Sequence, residues 1–452
     1  MVRPPLAPIS DVGSPFIAGT RFDLGPLGYT GAEYVFTGNA VSYAPTRAGV
    51  AVVENADFAT RLLVYRPTDD DAFNGTVWVE WLNVSGGLDA SPDWIFTHTE
   101  LMRRGAAWVG VSAQKIGVEG GGSLIGLPSH GLVGTDPARY GALRHPGDRF
   151  SYDIYSQAGA AVRTGSGTIL DGLAVERVMA IGESQSAFRL TTYVNEIDPV
   201  TTVYDGFLVH ARGRSAAPLD DDEDPAAATR GAPVTFHDDL RVPVLCVESE
   251  TDLMNLGYLA ARQDDGDAFV LWEIAGTSHG DIYTFVAGPI DTGRLPLADL
   301  AAAWVPVSEV YGMGLDRPVN AGPQHYVMNA AVSRLERWVD EGSRPAAAPR
   351  LEVSDGTFVT DENGNAKGGI RTPHVDVPTA VLSGLGNSGH PIAFLCGSST
   401  PFDAETLRSL YASREDYIGR FTAATEAAVV NGFVLEDDAH EMTAIATVNA
   451  PL

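Results

Sequence analysis

The sequence is poor in cysteine, in basic residues and in long apolar runs, and each shortage excludes a class of protein. Only Cys246 and Cys396 occur among 452 residues, and both lie in apolar segments, so a disulfide framework is excluded. No run of 18 or more apolar residues occurs, and the N-terminus lacks the continuous apolar stretch of a secretion signal. We therefore expect a cytoplasmic protein that does not insert into a membrane.

Positive charge is scarce as well. The chain has 30 Lys and Arg residues against 58 Asp and Glu residues, which gives a formal net charge of -28. Nucleic acids need basic side chains to neutralise their phosphates, so no nucleic-acid partner is expected. The densest acidic run, Asp220 to Asp224, is followed by Pro225 and is typical of a solvated loop. No metal site is predicted there or elsewhere.

Short apolar strands alternate with amphipathic helices over much of the chain. After a short antiparallel start, this alternation favours an α/β fold whose mostly parallel central sheet is covered by helices. The predicted strands are residues 33–37, 51–53, 61–65, 76–82, 107–111, 175–181, 204–210, 244–247 and 269–274. The predicted helices include residues 97–104, 151–161 and 326–339, the last with Gly342 as its C-cap.

The stretch Pro345-Ala-Ala-Ala-Pro349 is a candidate boundary. Residues 1–345 are predicted to form the core, with residues 282–324, rich in glycine and proline, as an inserted cap or lid. Residues 346–452 contain hairpin-like segments followed by helices around 403–447, with few strong strands of their own. We expect this C-terminal extension to pack on the core.

The strand at 175–181 runs directly into Gly182-Glu183-Ser184-Gln185-Ser186 and then into an amphipathic helix. A serine at the tip of such a tight strand-to-helix turn projects from the sheet beside the free N–H groups of the helix start, as in a nucleophile elbow. The usual pattern is Gly-x-Ser-x-Gly, and position 186 is serine here. Ser184 is the candidate nucleophile.

A serine hydroxyl needs a base to accept its proton and an acid to orient that base. The strand at 244–247 leads into Glu250-Thr251-Asp252, where Asp252 is the first-ranked acid and Glu250 the second; capping of the next helix is the alternative role. The strand at 269–274 leads into His279, the candidate base. The order Ser, acid, His along successive strands is the one expected in this fold.

Further residues are candidates for the oxyanion hole and for substrate contacts. The backbone N–H of Gln185 is one predicted oxyanion donor, and the loop after residues 76–82 offers Val84 as the second, with Ser85 as its alternative. The remaining candidates for substrate binding are Glu183, which could instead bond the His279 loop, His325, which could reach the site from the cap, and Arg371, which could instead clamp the C-terminal extension.

At these residues the chain resembles the α/β-hydrolase superfamily, and more narrowly a bacterial group known as "alpha/beta hydrolase domain". In that group the Ser-x-Ser form of the elbow is typical. The resemblance implies an α/β-hydrolase fold, ester hydrolysis through an acyl-enzyme, and a triad of Ser184, Asp252 and His279. The matching segments are residues 79–87, 139–141, 145–148, 152–157, 182–187, 250–252, 275–279 and 369–373.

The sequence thus predicts a serine esterase that needs no cofactor and acts on a small-molecule ester. An acyltransferase that uses the same Ser, His and Asp is the alternative, because a dry, lidded pocket would direct the acyl group to an alcohol or amine. A noncatalytic binding protein is the third reading, although such proteins generally lose a triad member. The natural ester, its stereochemistry and the oligomeric state, a homo-oligomer included, stay open.

Overall fold

A computed structural model describes residues 6–9, 14–47, 49–123, 128–164, 169–220 and 231–451. Most of the acidic run at 220–224 therefore lies outside the described residues. The strands are β1 (Leu6–Pro8), β2 (Tyr29–Thr46), β3 (Gly49–Pro67), β4 (Thr76–Trp81), β5 (Ala107–Val111), β6 (Gly121–Gly122), β7 (Pro128–Ser129), β8 (Arg177–Glu183), β9 (Gly206–His210), β10 (Val244–Ser249), β11 (Phe269–Ile274), β12 (Val353–Ser354), β13 (Thr357–Phe358), β14 (Ala380–Ser383) and β15 (Ser398–Pro401).

The α-helices lie between these strands and after them. In chain order they are α1 (Pro92–Arg103), α2 (Lys115–Glu119), α3 (Gly131–Thr135), α4 (Pro137–Tyr140), α5 (Ser151–Thr164), α6 (Gln185–Thr192), α7 (Asp198–Thr201), α8 (Glu250–Met254), α9 (Leu297–Ala303), α10 (Gln324–Glu341), α11 (Pro373–Asp376), α12 (Ala404–Leu410), α13 (Arg414–Val430) and α14 (Glu436–Val448). Gly342 caps α10 as predicted, with a φ of 68° and its N–H bonded to the carbonyl of Trp338.

One mixed sheet of nine strands forms the centre of the molecule. Its order is β1-β2-β3-β5-β4-β8-β9-β10-β11, and the six strands from β5 to β11 in that order run parallel. Successive side chains of β4 point to opposite faces of the sheet. Val77 and Val79 pack in one cluster with α5 and α6, whereas Trp78 packs in another with α1 and α10. The predicted α/β class, with a mostly parallel central sheet covered by helices, is confirmed.

The antiparallel start differs from the prediction. The three short strands predicted before residue 66 are parts of two long ones, because 33–37 lies inside β2 while 51–53 and 61–65 both lie inside β3. The outer end of this ribbon is exposed, and Val52 and Val53 keep more than half of their surface in water. Backbone pairing rather than burial extends the strands there, so the apolar pattern marked only fragments of them.

Helix α1 begins at Pro92, five residues before the predicted start at Thr97. The buried carboxylate of Glu80 accepts hydrogen bonds from the backbone N–H groups of Asp93 and Trp94, at 3.1 and 2.9 Å. Those N–H groups have no partner inside the helix, so the carboxylate caps it from a neighbouring strand. A cap supplied from 13 residues away is not visible in the local pattern.

The C-terminal extension lies against the core at several places. Beyond β11, the backbone of Ile370 pairs with Glu273 and Ala275, at 2.6 and 3.0 Å. Helices α13 and α14 enclose a separate apolar cluster that includes Phe421 and Met442 and also contains Tyr326 of α10. The segment predicted as a cap, 282–324, contains α9 and shares another apolar cluster with residues 392–396 of the extension.

Two negative findings apply to the described ranges only. None of their helices combines the length and the apolar character that crossing a bilayer requires. In the same part of the chain, no three His, Cys, Asp or Glu side chains come together as the ligands of a metal ion would.

Candidate active site

Ser184 occupies a strained turn between β8 and α6. Its φ of 58° and ψ of -116° lie outside the regions that residues other than glycine normally adopt. Hydrogen bonds hold this turn on both sides, from the Ser184 N–H to the carbonyl of His210 and from the Phe188 N–H to the carbonyl of Ser184. The turn therefore aims the serine away from the sheet.

Ser184 is also the only residue from 178 to 195 that is not buried. Within the described chain, its hydroxyl has no hydrogen-bond partner. The two flanking positions differ in how much room they have: a Cβ at Gly182 would lie 2.9 Å from a methyl of Leu190 and 3.1 Å from the Cβ of Ser186. Glycine at 182 thus lets Leu190 and Ser186 of the helix pack directly against the end of the strand.

Asp252 lies in the first turn of α8 rather than in the loop before it. It forms a capping box with Ser249: its Oδ2 accepts hydrogen bonds from the backbone N–H and the hydroxyl of Ser249, at 2.7 and 2.6 Å. Its Oδ1 accepts the Nδ1–H of His279 at 2.7 Å. The capping role and the predicted role toward the histidine are thus filled by one side chain.

His279 follows β11 and contacts two carboxylates. Besides the Nδ1 bond to Asp252, its Nε2 lies 3.0 Å from Oε1 of Glu183. Burial by itself would lower the pKa of His279, but Glu183 and Asp252 outweigh it and raise that pKa well above its usual value. The imidazole therefore favours its charged form in this arrangement.

The second-ranked acid, Glu250, is occupied elsewhere. Its carboxylate accepts hydrogen bonds from the backbone N–H groups of Gly276 and Gly384, at 2.6 and 2.8 Å. Burial raises the pKa of Glu250 to about 7. Glu250 thus links the acid-bearing helix α8 to the loop before His279 and to the C-terminal extension, and the structure brings Asp252, not Glu250, onto the imidazole.

The loop after β4 lies against the elbow. The amide of Asn83 donates to both the backbone carbonyl and Oε2 of Glu183, each at 3.1 Å. The N–H of Ser85 is bonded to Oδ1 of Asn83, so it is not free to serve as a donor. In the described chain, no hydrogen bond uses the N–H of Val84 or of Gln185. These two N–H groups are therefore unbonded in the described chain, and their role as oxyanion donors stays a prediction.

The other candidate histidines have different surroundings. His210 is fully buried, with Nδ1 bonded to Asp93 and Nε2 to the amide of Gln324, and burial lowers its pKa to about 4. His325 is buried in a stack of rings and lies 3.8 Å from Tyr283 between ring centroids. His210 contacts Ser184 only through its backbone carbonyl, and in the described chain neither imidazole is hydrogen-bonded to Ser184 or His279.

Arg371 is held within the C-terminal extension. Its guanidinium bonds Asp361 and Asp376, at 2.8 and 2.6 Å, and also the backbone carbonyls of Ala366 and Val375. These contacts correspond to the clamp role, which the sequence favours over substrate binding.

The sequence predicts for Glu183 either a substrate contact or a bond to the His279 loop, and the structure shows the second, at Nε2 of the imidazole. Another contact at the site was not predicted. The contact of Gly384 with the acid-bearing helix had no signal in the sequence, because it joins residues more than 130 positions apart.

The family "Alpha/beta hydrolase domain" matches residues 2–444, which is nearly the whole chain. The search of curated proteins found none that matches this chain. Among solved structures, an esterase from the fungus Rhizomucor miehei aligns with 68% of this chain and 85% of its own, at 11% identity and a TM-score of 0.32. An esterase from the archaeon Pyrobaculum calidifontis aligns with 59% and 81%, at 15% identity and a TM-score of 0.29. Similarities this low add nothing to the family match.

Proposed function

Because the chain belongs to the alpha/beta hydrolase domain family, we propose that it is a serine hydrolase that cleaves carboxylic esters through an acyl-enzyme on Ser184. One observation carries the proposal. A partly exposed serine on a strained elbow and an Asp252–His279 hydrogen bond of 2.7 Å occur at the same edge of the sheet, in the chain order that this chemistry uses.

The proposed mechanism starts with attack of the Ser184 hydroxyl on the ester carbonyl, while Nε2 of His279 accepts the hydroxyl proton. Asp252 holds Nδ1–H and stabilises the imidazolium that forms. The carbonyl oxygen becomes an oxyanion, to which the N–H groups of Val84 and Gln185 donate. Collapse of this intermediate expels the alcohol, which takes its proton from Nε2.

Water completes the cycle. It attacks the acyl-enzyme and gives a proton to Nε2; as the second tetrahedral intermediate collapses, Nε2 returns this proton to the oxygen of Ser184 and the carboxylic acid is released. No cofactor takes part. The N–H groups at the start of α6 and in the Asn83 loop support the oxyanion step, because no other acceptor in the described chain occupies them.

We further propose that residues 1–345 and 346–452 form one catalytic unit, with residues 282–324 covering the site. The hydrogen bonds of Gly384 with Glu250 and Thr251 support this, at 2.8 and 2.5 Å, because they tie the extension to the helix that carries Asp252. The ring of Phe285, from the segment 282–324, packs on Gly280, the residue next to His279.

The test compares Ser184→Ala with Ser186→Ala on p-nitrophenyl acetate. Loss of the nucleophile should lower kcat at least ~10³-fold. Ser186 is the matched control in the same elbow, since its hydroxyl is buried without a partner and its removal should leave kcat within about twofold. A Ser184→Ala protein as active as the Ser186→Ala protein would refute the proposed function.

A further inference from the structure

The nitrogen that must accept the serine proton is already in contact with another group. Nε2 of His279 lies 3.0 Å from Oε1 of Glu183, whereas the hydroxyl of Ser184 has no hydrogen bond with any described residue. A general base acts through the lone pair on its nitrogen, and that lone pair has to face the hydroxyl. The arrangement is therefore a resting one, in which Ser184 is not yet activated.

The proton count of this contact is fixed by the chemistry of its partners. Oδ1 of Asp252 can only accept, so Nδ1 of His279 carries a proton. An ionised Glu183 can also only accept, so the contact at Nε2 needs a second proton, either on Nε2 or on the Glu183 carboxyl. A single proton therefore lies between Glu183 and His279, and it must leave before Nε2 can serve as the base.

Glu183 is well held for this role. Its Oε2 accepts the amide of Asn83 at 3.1 Å, and that amide also bonds the Glu183 backbone carbonyl. Only 7% of the Glu183 side chain is exposed, as is also true of His279, so water screens their interaction weakly. The second carboxylate thus has a defined position on the side of the imidazole opposite to Asp252.

We propose that Glu183 is a positioning residue that competes with Ser184 for Nε2 of His279 and holds the imidazole in an inactive resting position until their shared proton is lost. This inference rests on the proposed function. Once the proton leaves, a lone pair on Nε2 faces a carboxylate oxygen, which is repulsive. The hydroxyl of Ser184 is the donor that satisfies this lone pair, so deprotonation itself transfers the imidazole from Glu183 to Ser184.

The titratable groups around His279 come from several elements. Asp252 belongs to α8, Glu183 to the end of β8 and His210 to the end of β9, while Asp281 follows His279 in its own loop. His210 does not charge in the working range, since burial lowers its pKa to about 4. Burial raises the pKa of Asp281 to about 7, so Asp281 is the group whose titration must be separated from that of the Glu183–His279 pair.

The sign of the pH effect follows from the direction of the His279 shift. Burial opposes the charged imidazole, but the carboxylates Glu183 and Asp252 raise the pKa of His279 well above its usual value. The protonated pair is inactive, so activity should rise with pH through this raised pKa. Removing the charge of Glu183 should lower the midpoint, because the imidazole then loses one of the two carboxylates that favour its protonation.

The test measures the rate at which a fluorophosphonate probe labels Ser184 between about pH 5 and pH 10, with the labelled residue identified by peptide mass spectrometry. The probe reports the free enzyme and requires the same proton transfer. We expect Glu183→Gln to shift the midpoint down by at least about one pH unit. Asp281→Asn is the control, and its midpoint should stay within about 0.3 units of the wild type. Glu183→Asp, which withdraws the carboxylate by one methylene, serves as the second variant if Glu183→Gln fails to fold.

Each outcome decides the matter. A Glu183→Gln midpoint equal to that of the wild type, a slower rate with an unchanged midpoint, or a shift caused by Asp281→Asn instead would overturn the role of Glu183 while leaving the proposed function intact. Failure of the wild-type protein to be labelled at Ser184 at any pH would remove the proposed function, and this inference with it.

Discussion

At the scale of single residues, Asp252 shows how one side chain serves both the fold and the site. Its Oδ2 completes the capping box with Ser249, and its Oδ1 binds the imidazole of His279. The sequence could rank Asp252 above Glu250 by its distance from the strand, but not show that both carboxylates would be buried with separate partners. A bond between Glu183 and the His279 loop was one of the two roles predicted for Glu183, but that it reaches Nε2 of the imidazole depends on how two loops from different strands meet.

Asp252→Asn should lower kcat roughly 10⁴-fold, close to the loss seen when a triad acid becomes an amide. The buried N–H of Ser249 needs an acceptor, so the oxygen of the new amide will turn toward Ser249 and its NH₂ group toward His279. Nδ1 must then accept a hydrogen bond, which leaves Nε2 protonated and unable to act as the base. Steady-state kinetics check this.

A kcat for Asp252→Asn within about tenfold of the wild type would contradict the assignment of the acid. The comparison is Glu250→Gln, which removes the charge of the neighbouring carboxylate without touching His279. Glu250 binds the N–H groups of Gly276 and Gly384, so we expect its loss to lower stability more than kcat.

At the scale of elements, the parallel strands position the candidate site, and we propose that the C-terminal extension braces it. Strands β5 and β11 have the bounds predicted for them, since their apolar runs are short and fully buried. The start of α1 was predicted less well, because a distant carboxylate caps this helix. The β2–β3 ribbon was also predicted less well, because backbone pairing extends its strands where they are exposed. Local patterns record burial, but not partners supplied from elsewhere in the chain.

Gly384 gives the element-scale prediction. It follows β14 and fits between the helix that bears Asp252 and the loop that bears His279. A Cβ there would lie 2.5 Å from both the carbonyl of Thr277 and the Cβ of Glu250, and 2.6 Å from the N–H of Thr251. Gly384→Ala should therefore push the two loops apart, lower the free energy of unfolding by ~1–3 kcal/mol and reduce kcat/KM at least about tenfold.

Gly419→Ala is the matched control for that substitution. Gly419 lies within α13 of the same extension, and a Cβ there meets no atom within 4 Å. Because alanine favours a helix more than glycine does, this variant should gain ~0.5–1 kcal/mol and keep its activity. Thermal unfolding and kcat/KM of both variants check the pair, and equal behaviour of the two would show that the extension does not brace the site.

At the scale of the whole molecule, the fold class and the packing of the extension on the core were predictable, whereas the contacts that join the extension to the core were not. The strand and helix alternation predicted a parallel sheet, which the strand order confirms. The extension depends on long-range contacts such as the pairing of Ile370 beside β11 and the shared cluster around Tyr326. Such contacts join apolar and backbone groups that look ordinary in the sequence, and only the folded chain brings them together.

The central claim is that Ser184 carries the acyl group during turnover. The measurement that tests this claim most directly is mass spectrometry of the intact protein. The enzyme is mixed with p-nitrophenyl acetate and quenched in acid within one turnover, and peptide mapping then locates the added group. We predict a gain of one acetyl group on the peptide that contains Ser184, present in the Ser186→Ala protein and absent from Ser184→Ala. An acetyl group on another residue, or the same gain in Ser184→Ala, would contradict the account.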